Sequence, residues 1–195
     1  DTHPSAAPLD DPSACMRDVD GDDYGDVGPP SGVASGTDCD DAMTAVNPGV
    51  NEDCGTAYDD DCDGDTNDVG ATTCIDFYAD RDGDEFGDGT DSLCMCEEAG
   101  VYTQVDGDDC DDDSITTFPG SAEMEGPLSA CRKDSDGDGY GDSTPGAGVT
   151  PGGDCDDTDS SIYTTAPESC DAIDSDCDDS LVDEFDNLDS DEFPD

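Results

Sequence analysis

The chain has 195 residues, 57 acidic against 4 basic, for a formal charge of -53. Leu, Ile, Val and Phe together number 24, about one residue in eight, and Trp is absent, which excludes a conventional apolar core. The charge excludes nucleic acid and anionic membranes as direct partners unless a cation bridges them, and no run approaches the roughly 20 apolar residues of a membrane span.

Composition alone describes a disordered chain. Against that, the acidic residues recur at fixed offsets, and 12 cysteines recur with them. Metal ions and disulfides are the substitutes when a core is missing, and they must offset an ordering cost of roughly 1–2 kcal/mol per residue.

Residues 1–12 form a Pro- and Asp-rich lead outside the repeat pattern. Repeat one, 13–68, opens on Asp18-Val-Asp-Gly-Asp-Asp-Tyr-Gly-Asp26. Carboxylates at relative positions 1, 3, 5 and 9 (Asp18, Asp20, Asp22, Asp26) and the Tyr24 carbonyl at position 7 match the spacing by which a loop wraps calcium. An EF-hand would place Glu at position 12, where Pro29 stands, so further carboxylates are expected from Asp38-Cys39-Asp40-Asp41, with Asp40 or Asp41 folding back on the loop. Asp41 is expected to cap a helical turn over 42–46, stopped ahead of Pro48. Asn47-Pro-Gly49, Glu52 and Cys54 follow, and then Asp59, Asp61, Asp63 and Asp65 alternate around Cys62 as a second calcium loop.

Repeat two, 69–130, has short apolar pieces at 73–78 and 101–105 that read as strands. Its nonapeptide supplies Asp80, Asp82, Asp84, Phe86 and Asp88, with Asp91 at position 12. An insertion carrying Cys94 and Cys96 precedes Asp109-Cys110-Asp111-Asp112, and the second loop is missing. Repeat three, 131–187, supplies Asp134, Asp136, Asp138, Tyr140 and Asp142, then Asp154-Cys155-Asp156-Asp157, a turn over 157–163, and a second loop of Asp174, Asp176 and Asp178 around Cys177. Pro145 stands at its position 12. The acidic tail is 188–195.

The predicted fold is irregular, with little regular secondary structure. It consists of tandem disulfide-stapled calcium-binding repeats with short β pieces and single helical turns, elongated overall. The cysteines are expected to pair within repeats as Cys15–Cys39, Cys54–Cys62, Cys131–Cys155 and Cys170–Cys177, with repeat two left open. Zinc is disfavoured because an oxidising compartment removes the thiolates. The rings of Tyr24, Phe86 and Tyr140 are expected to pack over the disulfides, and Lys133 to balance local charge.

The order Asp-x-Asp-Gly-Asp-x-Tyr-Gly-Asp, Asp-Cys-Asp-Asp, Asn-Pro-Gly, Glu-x-Cys, Asp-x-Asp-Cys-Asp-Gly resembles the MopE-type metal-binding repeat of large secreted and surface proteins of bacteria. The nonapeptide also resembles thrombospondin type 3 and dockerin calcium loops. The resemblance implies that Asp18, Asp20, Asp22 and Asp26 and their counterparts are metal ligands. Some relatives are described as copper proteins, but copper wants imidazole, thioether or thiolate, and this chain has one His and four scattered Met.

An enzyme is not expected: with a single His3 no Ser/His or Cys/His arrangement exists, and no Trp platform awaits a sugar. The reading is instead an extracellular, secreted or surface calcium protein whose targeting peptide has been removed. Its expected role is the subunit of a calcium-stabilised fibre, joined to other copies head to tail through residues 1–14 and 183–195, with Phe185, Leu188 and Phe193 as anchors. The other structural role is a calcium-rigidified stalk within a larger adhesin. Stretches 143–152 and 160–167 have the Ser/Thr/Pro/Gly composition of O-glycan carriers.

Overall fold

A computed structural model describes residues 2–169 and 171–181. Among them there is no helix, only seven strands: β1 (Thr2–Pro4), β2 (Cys15–Arg17), β3 (Ile75–Ala79), β4 (Asp88–Met95), β5 (Tyr102–Gln104), β6 (Thr117–Pro119) and β7 (Cys131–Lys133). They pair as β1-β2, β4-β3-β5 and β6-β7. The apolar pieces at 73–78 and 101–105 became β3 and β5. Polar β4 had no apolar signal and exists because β3 offers it an edge.

The expected helical turns are successive tight turns. Met43 N–H reaches Asp40 C=O at 2.9 Å and Val46 N–H reaches Met43 C=O at 2.8 Å; Asp159 and Ile162 repeat this on Asp156 and Asp159. Asp40, rather than Asp41, accepts the Ala42 N–H at 3.3 Å. Asp side chains compete for the backbone donors that a helix would need.

The chain divides into two compact units, Asp1–Phe77 with Leu93–Ala99, and Tyr78–Ser92 with Gly100–Asp195. The first holds Cys39–Cys62, Cys54–Cys96 and Cys74–Cys94; the second holds Cys110–Cys131 and Cys155–Cys177. All four expected pairings are therefore overturned. Each Asp-Cys-Asp-Asp cysteine bonds forward along the chain, to Cys62, Cys131 or Cys177; the second loops fold back on the segment, so that Cys39 and Cys155 N–H reach Cys62 and Cys177 Sγ at 3.1 and 3.2 Å. Cys15 is unpaired and exposed, and Cys170 lies outside the described residues. Loops of 20 to 23 residues closed by four of these bonds restrict the unfolded chain by about 3 kcal/mol each.

The buried apolar residues are few and small: Ala7, Met16, Val46, Ala71, Phe77, Ala79, Met95, Ala122, Ile162 and Ala166. Of the largest fully buried side chains, Glu52, Asp38 and Asp154 are carboxylates, beside Val46 and Thr117. A fold that buries acids in place of leucines needs something to neutralise them.

The lead, which the sequence leaves outside the repeats, folds as a repeat element. β1-β2 pairs Thr2↔Arg17, His3↔Met16 and Pro4↔Cys15, while β6-β7 pairs Thr117↔Lys133, Phe118↔Arg132 and Pro119↔Cys131. Each hairpin then buries an alanine, Ala7 or Ala122. Cys15 thus occupies the register position of disulfide-bonded Cys131.

Candidate metal centres

Each nonapeptide closes on its own first aspartate. Asp18, Asp80 and Asp134 accept the N–H of the fourth residue, Gly21, Gly83 or Gly137, each at 2.7 Å. That bond needs left-handed backbone at the fourth residue, where φ is 87°, 84° and 78°, and glycine supplies it without strain. The fifth-position aspartate then accepts the N–H of the aromatic residue: Asp22 from Tyr24 at 2.9 Å, Asp84 from Phe86 at 2.9 Å and Asp138 from Tyr140 at 2.8 Å. Carboxylate oxygens of Asp18, Asp20 and Asp22 come within 4.8 Å of one another, as do those of Asp80, Asp82 and Asp84.

The carboxylate that joins each loop is the first of the Asp-Cys-Asp-Asp segment. Asp26 bridges to Asp38, Asp88 to Asp109 and Asp142 to Asp154 as parallel single-residue pairs. The N–H groups of Asp38, Asp109 and Asp154 bond the carbonyls of Gly25, Gly87 and Gly141 at 2.8, 3.1 and 2.9 Å. Three equivalent sets of buried Oδ2 atoms with no hydrogen-bond partner result: Asp20, Asp22 and Asp38; Asp82, Asp84 and Asp109; Asp136, Asp138 and Asp154. The insertion in repeat two leaves this joint unchanged.

The other predicted residues sit beside these sets. Asp111 and Asp156 are exposed and Asp40 is half-buried. Asp41, Asp112 and Asp157 accept the N–H of the second loop residue, from Val19 at 2.8 Å, Arg81 at 2.7 Å and Ser135 at 2.8 Å. The ninth-position carboxylates turn to local donors, Asp26 to Gly28 N–H at 2.7 Å, Asp88 to Thr90 N–H and Asp142 to Thr144 N–H at 2.8 Å. One cation per loop then spans the ninth residue and the last Asp of the Asp-Cys-Asp-Asp segment. Arg17 pairs with Asp26 and Asp41, Arg81 with Asp88 and Asp112, and Lys133 with Asp142 and Asp157. The signal for this was available: three of only four basic residues lie directly beside a loop's first aspartate.

The aromatic rings pack. Phe86 stacks on Phe118 with centroids 5.2 Å apart and Tyr140 on Tyr163 at 4.6 Å. Tyr24 lies against Gly49, where a Cβ would come 2.6 Å from its hydroxyl oxygen.

A second kind of cluster forms around Cys62 and Cys177. Oxygens of Glu52, Asp59 and Asp61 converge within 4.8 Å, and so do those of Asp61, Asp63 and Asp68. Asp59 accepts from Asp63 and Gly64 N–H at 3.1 and 3.0 Å, while Glu52, 1% exposed, accepts from Asp61 N–H at 2.8 Å. Repeat three copies this: Asp174 accepts from Asp178 and Asp179 N–H, Glu168 accepts from Asp176 N–H at 3.1 Å, and buried Asp176 Oδ1 has no partner. Asp65 caps a turn at Asn67 N–H, 3.0 Å away. Sequence reasoning missed Glu52, Glu168 and Asp68. For the two glutamates the shared Glu-x-Cys spacing was the signal, while Asp68 had none.

Burial first, and then the neighbouring carboxylates, push Asp38, Asp84 and Asp154 from 3.8 up to about 6. A carboxyl raised in the fold stabilises it only while protonated. That contribution to the metal-free chain is complete below its ordinary value of 3.8 and is lost as pH rises through about 6. Cation binding requires the ionised form, so it releases protons and tightens over the same window. Cation affinity at pH 5 should be about tenfold or more weaker than at pH 7.5, with proton release on binding; titration calorimetry in two buffers, with calcium as the probe, checks this, and equal affinities would contradict it.

The donor set is hard oxygen. Among the described residues ten cysteines are in disulfides, and His3 is exposed on β1 with its Nδ1 2.8 Å from Pro4 O. Carboxylates and carbonyls suit calcium, magnesium or manganese rather than copper.

The family model Cu-binding MopE, entitled "Putative metal-binding motif", matches residues 38–68, 109–125 and 154–184. Each match begins at the aspartate whose buried Oδ2 joins a loop set, and the short middle match ends where repeat two lacks its second cluster. No curated protein and no solved structure matches the chain.

Proposed function

We propose that this chain, with three copies of the MopE-type metal-binding motif, is an extracellular calcium-binding structural protein, the subunit of a surface fibre assembled head to tail. The carrying observation is the three equivalent sets of buried, partnerless carboxylate oxygens, built by the same joint each time. Asp18, Asp20, Asp22 and Asp38, with the Tyr24 carbonyl, would hold the first ion. Asp80, Asp82, Asp84, Asp109 and Phe86 would hold the second, and Asp134, Asp136, Asp138, Asp154 and Tyr140 the third. Glu52, Asp59 and Asp61, and Glu168, Asp174 and Asp176, would hold further ions. Calcium accepts six to eight oxygens in such irregular loops, whereas magnesium demands a near-ideal octahedron.

Five disulfides belong to an oxidising compartment, where millimolar calcium fills sites of modest affinity. No described helix is long and apolar enough to cross a membrane. The head-to-tail reading is supported by the β1-β2 hairpin, which repeats β6-β7 while presenting Cys15 exposed and unpaired. Its strand β1 is exposed throughout, whereas Thr117 in β6 is 0% exposed. Exposed Thr144, Thr150, Ser160 and Thr165 would accept O-linked glycans. The anchors Phe185, Leu188 and Phe193 lie outside the described residues.

Electron microscopy in millimolar calcium, repeated after EDTA, tests the reading. Filaments that disperse on chelation are expected. Monodisperse rods that only lose stiffness would assign the chain to a stalk, and indifference to EDTA would remove the calcium premise.

A further inference from the structure

We infer that Asp10 and Glu125 are positioning residues that brace the first and third calcium loops, Asp10 by tying its loop to the arm that carries Asp38 and Glu125 by holding its loop beside the arm that carries Asp154; the inference rests on the calcium reading above. Neither contributes to the three sets of buried, partnerless oxygens. Asp10 Oδ2 accepts the Gly25 N–H at 2.8 Å and the Thr37 N–H at 3.0 Å, and Oδ1 accepts the Thr37 hydroxyl at 2.5 Å. Gly25 follows Tyr24, the carbonyl at position 7, and Thr37 precedes Asp38. One carboxylate therefore grips both sides of the first centre.

Glu125 takes the same place for the third centre. Its Oε2 accepts the Gly141 N–H at 3.1 Å, and Arg132 Nε holds that oxygen at 3.2 Å. The spacing from brace to bonded glycine is 15 residues in one case and 16 in the other. Each brace sits in the loop inside its own hairpin, Asp10 between β1 and β2 and Glu125 between β6 and β7, so the lead segment serves the first loop.

The opposing arm leaves room for the carboxylate. A Cβ on Gly36 would come within 2.4 Å of Asp10 Oδ2 and 2.1 Å of Gly25 O. A Cβ on Gly152 would come within 2.4 Å of Glu125 Oε2 and 2.2 Å of Gly141 O. The second centre has no such carboxylate: Tyr78 fills the space, 2.5 Å from where Cβ atoms on Gly87 and Gly107 would lie. Loop two is an internal control.

Groups behind a ligand shell commonly change metal affinity about 10- to 100-fold when removed, because the ligands lose orientation. The test is an amide NMR titration of the full chain with calcium, following Gly21, Gly83 and Gly137, one reporter per loop. In Asp10→Ala the Gly21 midpoint should rise at least about tenfold while Gly83 and Gly137 stay in place. Glu125→Ala should move Gly137 alone. Asp10→Glu, which installs the residue type found at position 125, should restore most of the Gly21 affinity.

Unchanged midpoints would overturn the inference, and so would all three loops moving together, which marks a general loss of fold. If the wild-type loops took up no calcium, the calcium reading would fall. Hydrogen exchange in EDTA then decides the brace: Gly25 and Thr37 amides should exchange faster in Asp10→Ala while Gly141 does not, and no difference would overturn it.

Discussion

Chelation with EDTA is expected to unfold the described repeats, each around its own loop, with loss of amide dispersion and a larger hydrodynamic radius, although the disulfides stay intact. Among the described residues the three loop sets of the metal-free chain keep nine buried carboxylate oxygens without partners, in a molecule of charge -53 whose buried apolar residues are half alanine. A site held at a hundredfold excess of calcium over Kd adds about 2.7 kcal/mol, so three add about 8. Total stability of a domain is only about 5–15 kcal/mol, so calcium at the proposed sites would be the deciding contribution. Disulfides restrict the unfolded chain but do nothing for carboxylates facing one another in the fold. Retained dispersion in EDTA at pH 7.5 would show that the disulfides suffice. Lowering the pH to about 5 in EDTA should recover part of the order, since Asp38, Asp84 and Asp154 then protonate.

Asp38→Ala should abolish the first calcium site, weakening it about a hundredfold or more, while Asp40→Ala changes it by less than about threefold. Removing groups that only orient ligands already costs about 10- to 100-fold, so a direct ligand stands at or beyond the top of that range. Asp38 is 0% exposed with a partnerless Oδ2, whereas Asp40 serves the next turn by accepting the Ala42 N–H. Asp154→Ala and Asp156→Ala repeat the comparison in repeat three, where Asp156 is bonded to the Thr158 hydroxyl. Calcium stoichiometry by equilibrium dialysis reads the result. An intact first site in Asp38→Ala, or a lost one in Asp40→Ala, would reverse the assignment of the completing ligand.

The loops were legible because their chemistry is local. The bonds that shape a nonapeptide span two, three or five residues, from Asp20 to Asp22 N–H, Asp18 to Gly21 N–H and Asp18 to Asp23 N–H, so spacing alone encodes them. The same holds for the Asp59 and Asp174 turns of the second clusters, though not for Glu52, Glu168 and Asp68, which join them. Which carboxylate of Asp-Cys-Asp-Asp turns inward was not legible, because all three are equally able to ligate a cation. The bridge from Asp26 to Asp38 decides it by fixing the register of two segments 12 residues apart.

Composition, repeat spacing and cysteine number by themselves determined that this chain is an irregular, metal-binding, disulfide-rich repeat protein. Those features state how many acids there are and at what local offsets, which is enough to define a loop. Tertiary structure alone decided the completing aspartates, the pairings such as Cys110–Cys131 and the use of the lead as a brace through Asp10. Each of these depends on which distant segments meet. A chain without an apolar pattern carries no code for that meeting beyond the backbone bonds its glycines and aspartates permit.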